Sequence, residues 1–207
     1  MQVRESYDSA AEAYAEHLAT ELEHKPLDRH LLNRFAEALC GRGLVADLGC
    51  GPGHIAAYLH GEGVEVVGID LSPEMVRVAA QRNPDLSFRV GDMRQLDLPD
   101  ASLAGVVAFY SIVHFSPPDL GRVFRQMRRI LERDGLALLA FHVGDQVVHV
   151  DDLYGAPVSL DFQFHDPGQV VEALGAAGLR VIEHVERAPY EGAEYPSDRC
   201  YLLARAV

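Results

Sequence analysis

Residues 44–56, reading Leu-Val-Ala-Asp-Leu-Gly-Cys-Gly-Pro-Gly-His-Ile-Ala, constrain this chain more than any other stretch. The run 44–48 is short and mostly apolar, the pattern of a strand buried on both faces. Gly49, Gly51 and Gly53 then predict a turn in which the backbone takes positive φ and approaches a ligand with no side chain in between. A helical pattern follows, with Ile55, Ala56 and Leu59 spaced for one face. Strand, glycine turn and helix start make the first half of a nucleotide-binding βαβ unit. A glycine turn also serves plain structure, so the assignment depends on the strands that come after it.

A second apolar strand over 63–69 ends in Asp70, about twenty residues beyond the glycines, the offset at which a carboxylate accepts from ribose hydroxyls. The plainer reading is that Asp70 begins the turn before Ser72-Pro73. Dinucleotides and S-adenosylmethionine both fit a βαβ unit with such an acid. The glycines read Gly-x-Gly-x-Gly, not the Gly-x-Gly-x-x-Gly that sets a helix N-terminus on a pyrophosphate. A third strand over 86–90 ends in Gly91-Asp92-Met93 and brings a second carboxylate to the same sheet edge. There Asp92 would accept from an adenine amino group, with Met93 packed near the ring. That set fits an adenosyl ligand with no phosphate.

Asp47-Leu-Gly-Cys-Gly-Pro-Gly53, Gly68-Ile-Asp70-Leu-Ser, Gly91-Asp-Met93 and the strand ending at Tyr110 together resemble the class I S-adenosylmethionine-dependent methyltransferases. The motifs run in order over most of the chain. The resemblance implies an α/β, doubly wound, Rossmann-like sheet of seven strands, mostly parallel with an antiparallel last strand, in a single domain over 1–207. It implies S-adenosylmethionine as cofactor. Asp47, Gly49, Gly51 and Gly53 would line the methionine end, with Cys50 at the variable position between turn glycines. Asp70 would hold the ribose, Leu71 and Met75 would flank the adenine, and Asp92 with Met93 would read its edge beyond Gly91. Tyr14 and Tyr110 complete the expected cofactor contacts.

Composition narrows the partners. The formal net charge is −13 and Lys25 is the single lysine, which disfavours a phosphate-backbone partner or an anionic membrane surface. Arg122, Arg125, Arg128, Arg129 and Arg133 read as a solvated helix face. The three cysteines are widely spaced and give no disulfide framework. The N-terminus carries Arg4, Glu5 and Asp8 with no apolar run, so no signal peptide is expected, and no stretch reaches membrane-spanning length. A cytoplasmic protein, monomeric or homodimeric, is the expectation.

The segment 1–41 carries two helical patterns. In the first, Tyr7, Ala11, Tyr14 and Leu18 share a face. It is either a helix packed on the sheet with half-buried phenols or, as the resemblance implies, a lid over the cofactor. The second runs from Pro26 to Leu39, with Gly41 as C-terminal cap. Ser72-Pro73-Glu74 opens a helix with a capping hydroxyl, proline at its first position and a carboxylate against the dipole. A strand over 103–109 is apolar enough to be central. Ser116 and Asp119 open a helix expected to run to Asp134-Gly135, before a strand over 136–141. The connection 143–166 exceeds the usual length and holds one expected strand over 159–165, on the acceptor side of the sheet. A helix capped by Asp166 and strands over 179–188 and 199–205 complete the chain.

A sulfonium already activates its methyl group, so transfer asks mainly for positioning and exclusion of water, and needs a base only where the acceptor must lose a proton. After the fourth strand the chain reads Phe-Tyr-Ser-Ile-Val-His-Phe over 109–115. It lacks the Asn-Pro-Pro-Tyr or Asp-Pro-Pro-Tyr of the amide- and nucleobase-modifying types and the carboxylate of the metal-dependent catechol type. His142, His149, Asp151 and Asp152 match no standard ligand spacing, so no metal is expected. His114 and His142 follow strands at the carboxyl edge and are the candidate bases, His114 preferred. Each is otherwise a histidine that shapes the pocket. A histidine base predicts turnover rising through about pH 6.5. His165, Tyr154, Glu186 and Tyr190 are weaker candidates for acceptor contacts. The expected function is metal-independent methyl transfer to an O, N or C atom of a small molecule. The alternatives are a domain of this fold that binds S-adenosylmethionine in another role, and a dinucleotide-dependent oxidoreductase.

Overall fold

A computed structural model describes residues 3–192 and 194–207. Seven strands form one sheet: β1 Val45–Leu48, β2 Val66–Asp70, β3 Ser87–Val90, β4 Leu103–Phe109, β5 Leu131–His142, β8 Leu179–Arg187 and β9 Arg199–Ala206. Their order is β3-β2-β1-β4-β5-β9-β8. Pairing is parallel from β3 through β5, and β9 is antiparallel to both of its neighbours. This is the seven-stranded, mostly parallel sheet expected from the resemblance. Strand order reverses between β1 and β4, so their carboxyl ends diverge and leave a crevice, the place where open α/β sheets bind ligands.

Every residue of β4 is buried, as a strand covered on both faces requires. Its side chains alternate. Val106 and Ala108 face the layer of α5 (Pro117–Ile130) and α6 (Pro167–Ala176), while Val107 and Phe109 face α2 (Pro26–Leu39) and α3 (His54–Gly61). Two cores on opposite faces of one sheet make the doubly wound layering. No helix among the described residues is long and apolar enough to cross a membrane.

The helix α1 (Val3–Leu18) belongs to neither layer. Its small residues Ala11 and Ala15 pack on Met75 and Val78 of α4 (Pro73–Arg82), and Ala10 packs on Leu153, Val158 and Leu160. Asp8 accepts from the Ser72 hydroxyl at 2.5 Å, and the same Ser72 oxygen accepts from the Met75 N–H at 3.0 Å. The cap of α4 is thus also the anchor of α1.

Three local expectations need correction. The connection 143–166 holds a two-stranded hairpin, β6 Val147–Leu153 and β7 Ala156–Gln163, instead of one strand over 159–165. Tyr154 and Gly155 join its strands, both at positive φ (57° and 86°), the geometry of a tight hairpin turn. Tyrosine does not advertise that conformation, and the apolar residues of β6 do not alternate strictly with polar ones. The helix α5 stops at Ile130 rather than 134, because Leu131 already pairs with Leu103. Arg133 therefore lies off the helix that carries the other arginines. The Ser116 hydroxyl donates to Asp119 at 2.8 Å and does not cap the backbone.

Candidate functional site

The glycine turn leaves β1 as expected, with Gly49, Gly51 and Gly53 at φ of 69°, 51° and 83°. A Cβ at Gly49 would lie 2.4 Å from the Ser111 Cβ and 2.7 Å from the Met93 Cε, so only glycine lets the chain ends after β1, β3 and β4 meet. Asp70 closes the turn. Its carboxylate accepts from the Gly51 N–H and the Ser72 N–H, both at 2.8 Å. Burial raises its pKa, opposed by those backbone bonds. Cys50 is buried, its sulfur against Gly68, and burial pushes its thiol up. Gly91 donates its N–H to the Asp70 carbonyl at 2.8 Å, which brings the ends of β2 and β3 together. Leu71 is partly exposed beside them, and Met75 is buried under Tyr7 and Tyr14.

Asp92 is held differently. Both of its oxygens accept from the Arg94 guanidinium, the nearest at 2.7 Å, and this bond holds its pKa below the usual range. The pair is partly exposed, and a carboxylate has lone pairs left for a further donor.

Three buried polar atoms have no partner in this region: one Asp47 carboxylate oxygen, the His54 Nδ1 and the Ser111 hydroxyl. Burial raises Asp47 to about 7, with His54 opposing and Asp70 adding to the rise. Orphaned buried groups are costly unless a ligand pairs with them. The residues around the glycine turn therefore fit a polar ligand of the adenosyl type, with Asp47, Asp70 and Ser111 as its acceptors or donors.

Next to the turn, a cleft of about 920 Å³ opens between α1, the carboxyl ends of β4 and β5, and the β6–β7 hairpin. Of the residues singled out from sequence, Tyr7, Tyr14, Tyr110, His142 and Tyr154 line it. Tyr14 approaches the glycine turn, its ring 3.6 Å from where a Gly51 Cβ would sit. Tyr154 stacks on His17 at 3.7 Å and leans on Tyr14 at 5.7 Å, which ties α1 to the hairpin. Tyr110 has φ of 51°, a backbone conformation costly for a tyrosine and usually kept where function needs it.

The two histidines behave unlike each other. His114 is a strut: its Nδ1–H donates to the Asp161 carbonyl at 3.0 Å and its Nε2 accepts from the Tyr7 hydroxyl at 2.8 Å. Both ring nitrogens are engaged, and burial lowers its pKa to about 4. His142 lies on the cleft wall, bonded through Nδ1 to the Ser197 hydroxyl at 2.8 Å and stacked on Phe164 at 4.9 Å. Burial, then Arg199 and Lys25, lower its pKa to about 3. The place of His114 beside the β4 end, which makes it the preferred base, is visible in sequence. Its occupation by Tyr7 and Asp161 is tertiary.

Of the weaker candidates, only Tyr154 reaches the cleft. His165 is buried and donates to the Ile112 carbonyl, Tyr190 accepts from the Leu27 N–H, and Glu186 pairs with His184 on β8. His184, Glu186 and Cys200 bring their ligand atoms within 4.8 Å of one another, the one such group among the described residues. His149 pairs with Asp151 and Asp161 on the exposed hairpin.

Sequence reasoning missed the ionic floor of the cleft. Asp28, on the first turn of α2, accepts from Tyr201 at 2.6 Å and from Arg187 at 3.0 Å. Tyr110 and Tyr201 share a hydrogen bond of 2.9 Å. Arg187 also grips Glu194 with two bonds, at 2.6 and 2.9 Å. Lys25 bonds to Glu21 at 2.5 Å, and His54 lies 3.0 Å from the other Glu21 oxygen. Burial pushes Glu21 and Glu194 up, but His54 and Lys25 on the first and Arg187 on the second outweigh it, bringing each to about 2. The lone lysine was the one available hint, and its partners lie far along the chain.

A Rossmann-like sheet with a glycine turn, an acid ending β2 and a cleft over the switch point defines the class I methyltransferase type. Residues 45–135 match the family described as methyltransferase domain, and this match, with the relatives and the shared fold, supports a class I S-adenosylmethionine-dependent methyltransferase. The cofactor of that class is S-adenosylmethionine. The chain is 35% identical over 102 residues to the magnesium-protoporphyrin O-methyltransferase of Rhodobacter capsulatus, covering 47% of this chain and 44% of that one. It is 36% identical over 93 residues to the demethylmenaquinone methyltransferase of Thermotoga maritima, covering 44% and 40%. The chain thus spans about half the length, or less, of these curated relatives. A chain of the complex between the Haloferax volcanii Trm112 methyltransferase activator and its methyltransferase superposes with a TM-score of 0.76 at 23% identity. That likeness covers 99% of this chain and 97% of that one and shows the shared fold.

Proposed function

We propose that this protein transfers the methyl group of S-adenosylmethionine to an O, N or C atom of a small molecule bound in the cleft, without a metal. The observation that carries the reading is the meeting of the glycine turn, Asp70 and Tyr14 at the edge of a cleft walled by other elements. Cofactor residues and an acceptor chamber then adjoin. When bound, the sulfonium supplies an already activated methyl group. Asp70 holds ribose hydroxyls, while Asp47 and Ser111 pair with polar atoms of the methionine end. Leu71, Met75, Met93 and Asp92 surround the adenine.

The segment 1–41 acts as a lid and 143–166 as the acceptor-side wall of one domain over 1–207. The His114–Tyr7 bond and the Tyr154 stack hold lid and wall together and keep water out. His142 faces the acceptor as a neutral imidazole, so catalysis rests on proximity and a dry site more than on a histidine base. Relatives named for porphyrin and menaquinone methylation support a small-molecule acceptor, and the acidic composition speaks against nucleic acid. A second reading, work within a complex, draws support from the archaeal chain bound to an activator. Light scattering of the purified protein, with and without copurifying chains, separates the two.

The primary test is calorimetry. S-adenosylmethionine should bind, NAD should not, and Asp70→Ala should weaken binding at least tenfold, as loss of charged hydrogen bonds worth roughly 1.5–3 kcal/mol requires. Tight NAD binding would end the reading. Labelled methyl donor against phenols, amines and carboxylates then identifies the acceptor.

A further inference from the structure

We propose that His184, Glu186 and Cys200 hold a zinc ion on the face of β8 and β9 that packs toward α6, outside the cleft. The sheet register brings the three together. Glu186 pairs directly with Cys200 across the two strands, and His184 lies two residues back on the same face of β8, opposite Leu202. On β9 that face carries Cys200, Leu202 and Ala204, all in the core shared with α5 and α6. An imidazole, a carboxylate and a thiol are thus mounted on two paired strands, which fix a site more closely than a loop does.

The donor atoms lie within 4.8 Å of one another, and the His184 Nε2 is 2.8 Å from a Glu186 oxygen. Donors around a tetrahedral zinc ion sit roughly 3.3–3.6 Å apart, so closing on the ion asks for movements of about 1 Å. The side chains that must move are free to do so. His184 and Glu186 are 39% and 48% exposed, while Cys200 is fully buried beneath them. That exposure also gives the ion its path from solvent. A His–Glu pair on an edge strand is ordinary and contributes little by itself. What departs from the ordinary is its place over the thiol of the directly opposed residue. Burial, with Glu186 adding, pushes that thiol up to about 12, which speaks against a free nucleophile.

Sulfur and imidazole donors with one carboxylate select zinc over magnesium or calcium. Three protein ligands leave the fourth position to water. On binding, the thiol proton goes to solvent, and His184 carries its remaining proton on Nδ1. The place of the site gives the ion a consequence. One rung beyond Glu186 and Cys200, Arg187 pairs with Arg199, and the segment between these arginines brings Glu194 and Tyr195 to the cleft. An ion on 184, 186 and 200 clips the neck of that segment. None of the three ligands lines the cleft, so the methyl transfer itself makes no use of the ion.

The test uses the full chain, stripped of metal by a chelator and titrated with cobalt(II) and then zinc. Cobalt should give a thiolate charge-transfer band in the near ultraviolet, and zinc should abolish it. Cys200→Ala should lose the band, while Cys40→Ala, at the exposed cysteine, should keep it. In competition with a coloured chelator, His184→Ala and Glu186→Gln should each weaken zinc at least about tenfold, since loss of even an outer-shell partner costs about 10–100-fold. These two positions are exposed, so their variants decide the matter even where Cys200→Ala does not fold by circular dichroism. Hydrogen exchange over 187–199 should slow with zinc in the unmodified chain and not in His184→Ala. No cobalt band, a band that survives in folded Cys200→Ala, or zinc affinity unchanged in both His184→Ala and Glu186→Gln would overturn the site. Zinc binding abolished instead by His149→Ala would place the ion on the exposed group of His149, Asp151 and Asp161 and overturn it equally. Exchange over 187–199 that ignores zinc would overturn the clip.

Discussion

Asp28→Ala is the sharpest test of the ionic floor. The Asp28 side chain is 1% exposed and Arg187 is 11% exposed, so solvent screens their attraction little. The carboxylate accepts from Tyr201 at 2.6 Å and Arg187 at 3.0 Å, while the Tyr110 contact at 3.4 Å is weak. Removing it leaves Arg187 with Glu194 and leaves the Tyr201 hydroxyl with Tyr110. Breaking a buried pair by removing one partner costs about 3–5 kcal/mol. The surviving bidentate bond to Glu194 places this case near 3 kcal/mol. Asp28→Asn retains an acceptor oxygen and the shape, and should cost about 1–2 kcal/mol. Urea denaturation followed by circular dichroism reads both, with an unchanged slope marking a change in stability alone. The cycle with Arg187→Met should show coupling of about 1–3 kcal/mol, since the two side chains touch. A loss below about 1 kcal/mol for Asp28→Ala, or additive single variants, would refute the account.

The same geometry sets further outcomes. Asp47, raised to about 7 from an unfolded value near 3.9, binds its proton more tightly when folded. Its contribution therefore falls as pH rises from about 4 through about 7, and Asp47→Asn should gain melting temperature at pH 8 relative to pH 4.5. No such gain would show that Asp47 is not buried as described. His114 and His142, lowered to about 4 and about 3, should both be neutral by NMR at pH 5.5, and turnover should show no rise through pH 6.5 that His142→Asn abolishes. A histidine titrating near the ordinary imidazole value would support the base expected from sequence. Tyr7→Phe removes the 2.8 Å bond to His114 and should speed hydrogen exchange in α1 by a factor of about 5, for a bond worth roughly 1 kcal/mol. S-adenosylhomocysteine should slow exchange there in the unmodified chain. Unchanged exchange in α1 on both counts would make it a plain structural helix.

Sequence by itself determined what short-range rules encode. The run 44–56 carries strand, turn and helix in consecutive residues, and its glycines suit the turn because φ is positive at 49, 51 and 53 and a Cβ at 49 or 53 would collide with neighbouring side chains. Ser72 and Asp166 cap their helices within three residues, as hydroxyl and carboxylate caps do. The uniformly apolar run of β4 likewise announces a strand buried on both faces.

Tertiary structure decided the rest, because it joins residues far apart in the chain whose local patterns are ordinary. Asp28 meets Arg187 and Tyr201, Lys25 meets Glu194, and Tyr7 meets His114 only after α1, α2 and the last strands are folded together. No periodicity distinguishes a carboxylate that is to be buried and paired from one on a solvated helix face. The protonation of His114 and His142 was equally illegible. Burial and neighbouring cations set it, and both are properties of the assembled cleft rather than of the residues on either side of each histidine. The β6–β7 hairpin shows the same limit on a smaller scale: β6 is stabilised by pairing with β7 and by α1, so the contacts that make it a strand lie outside it.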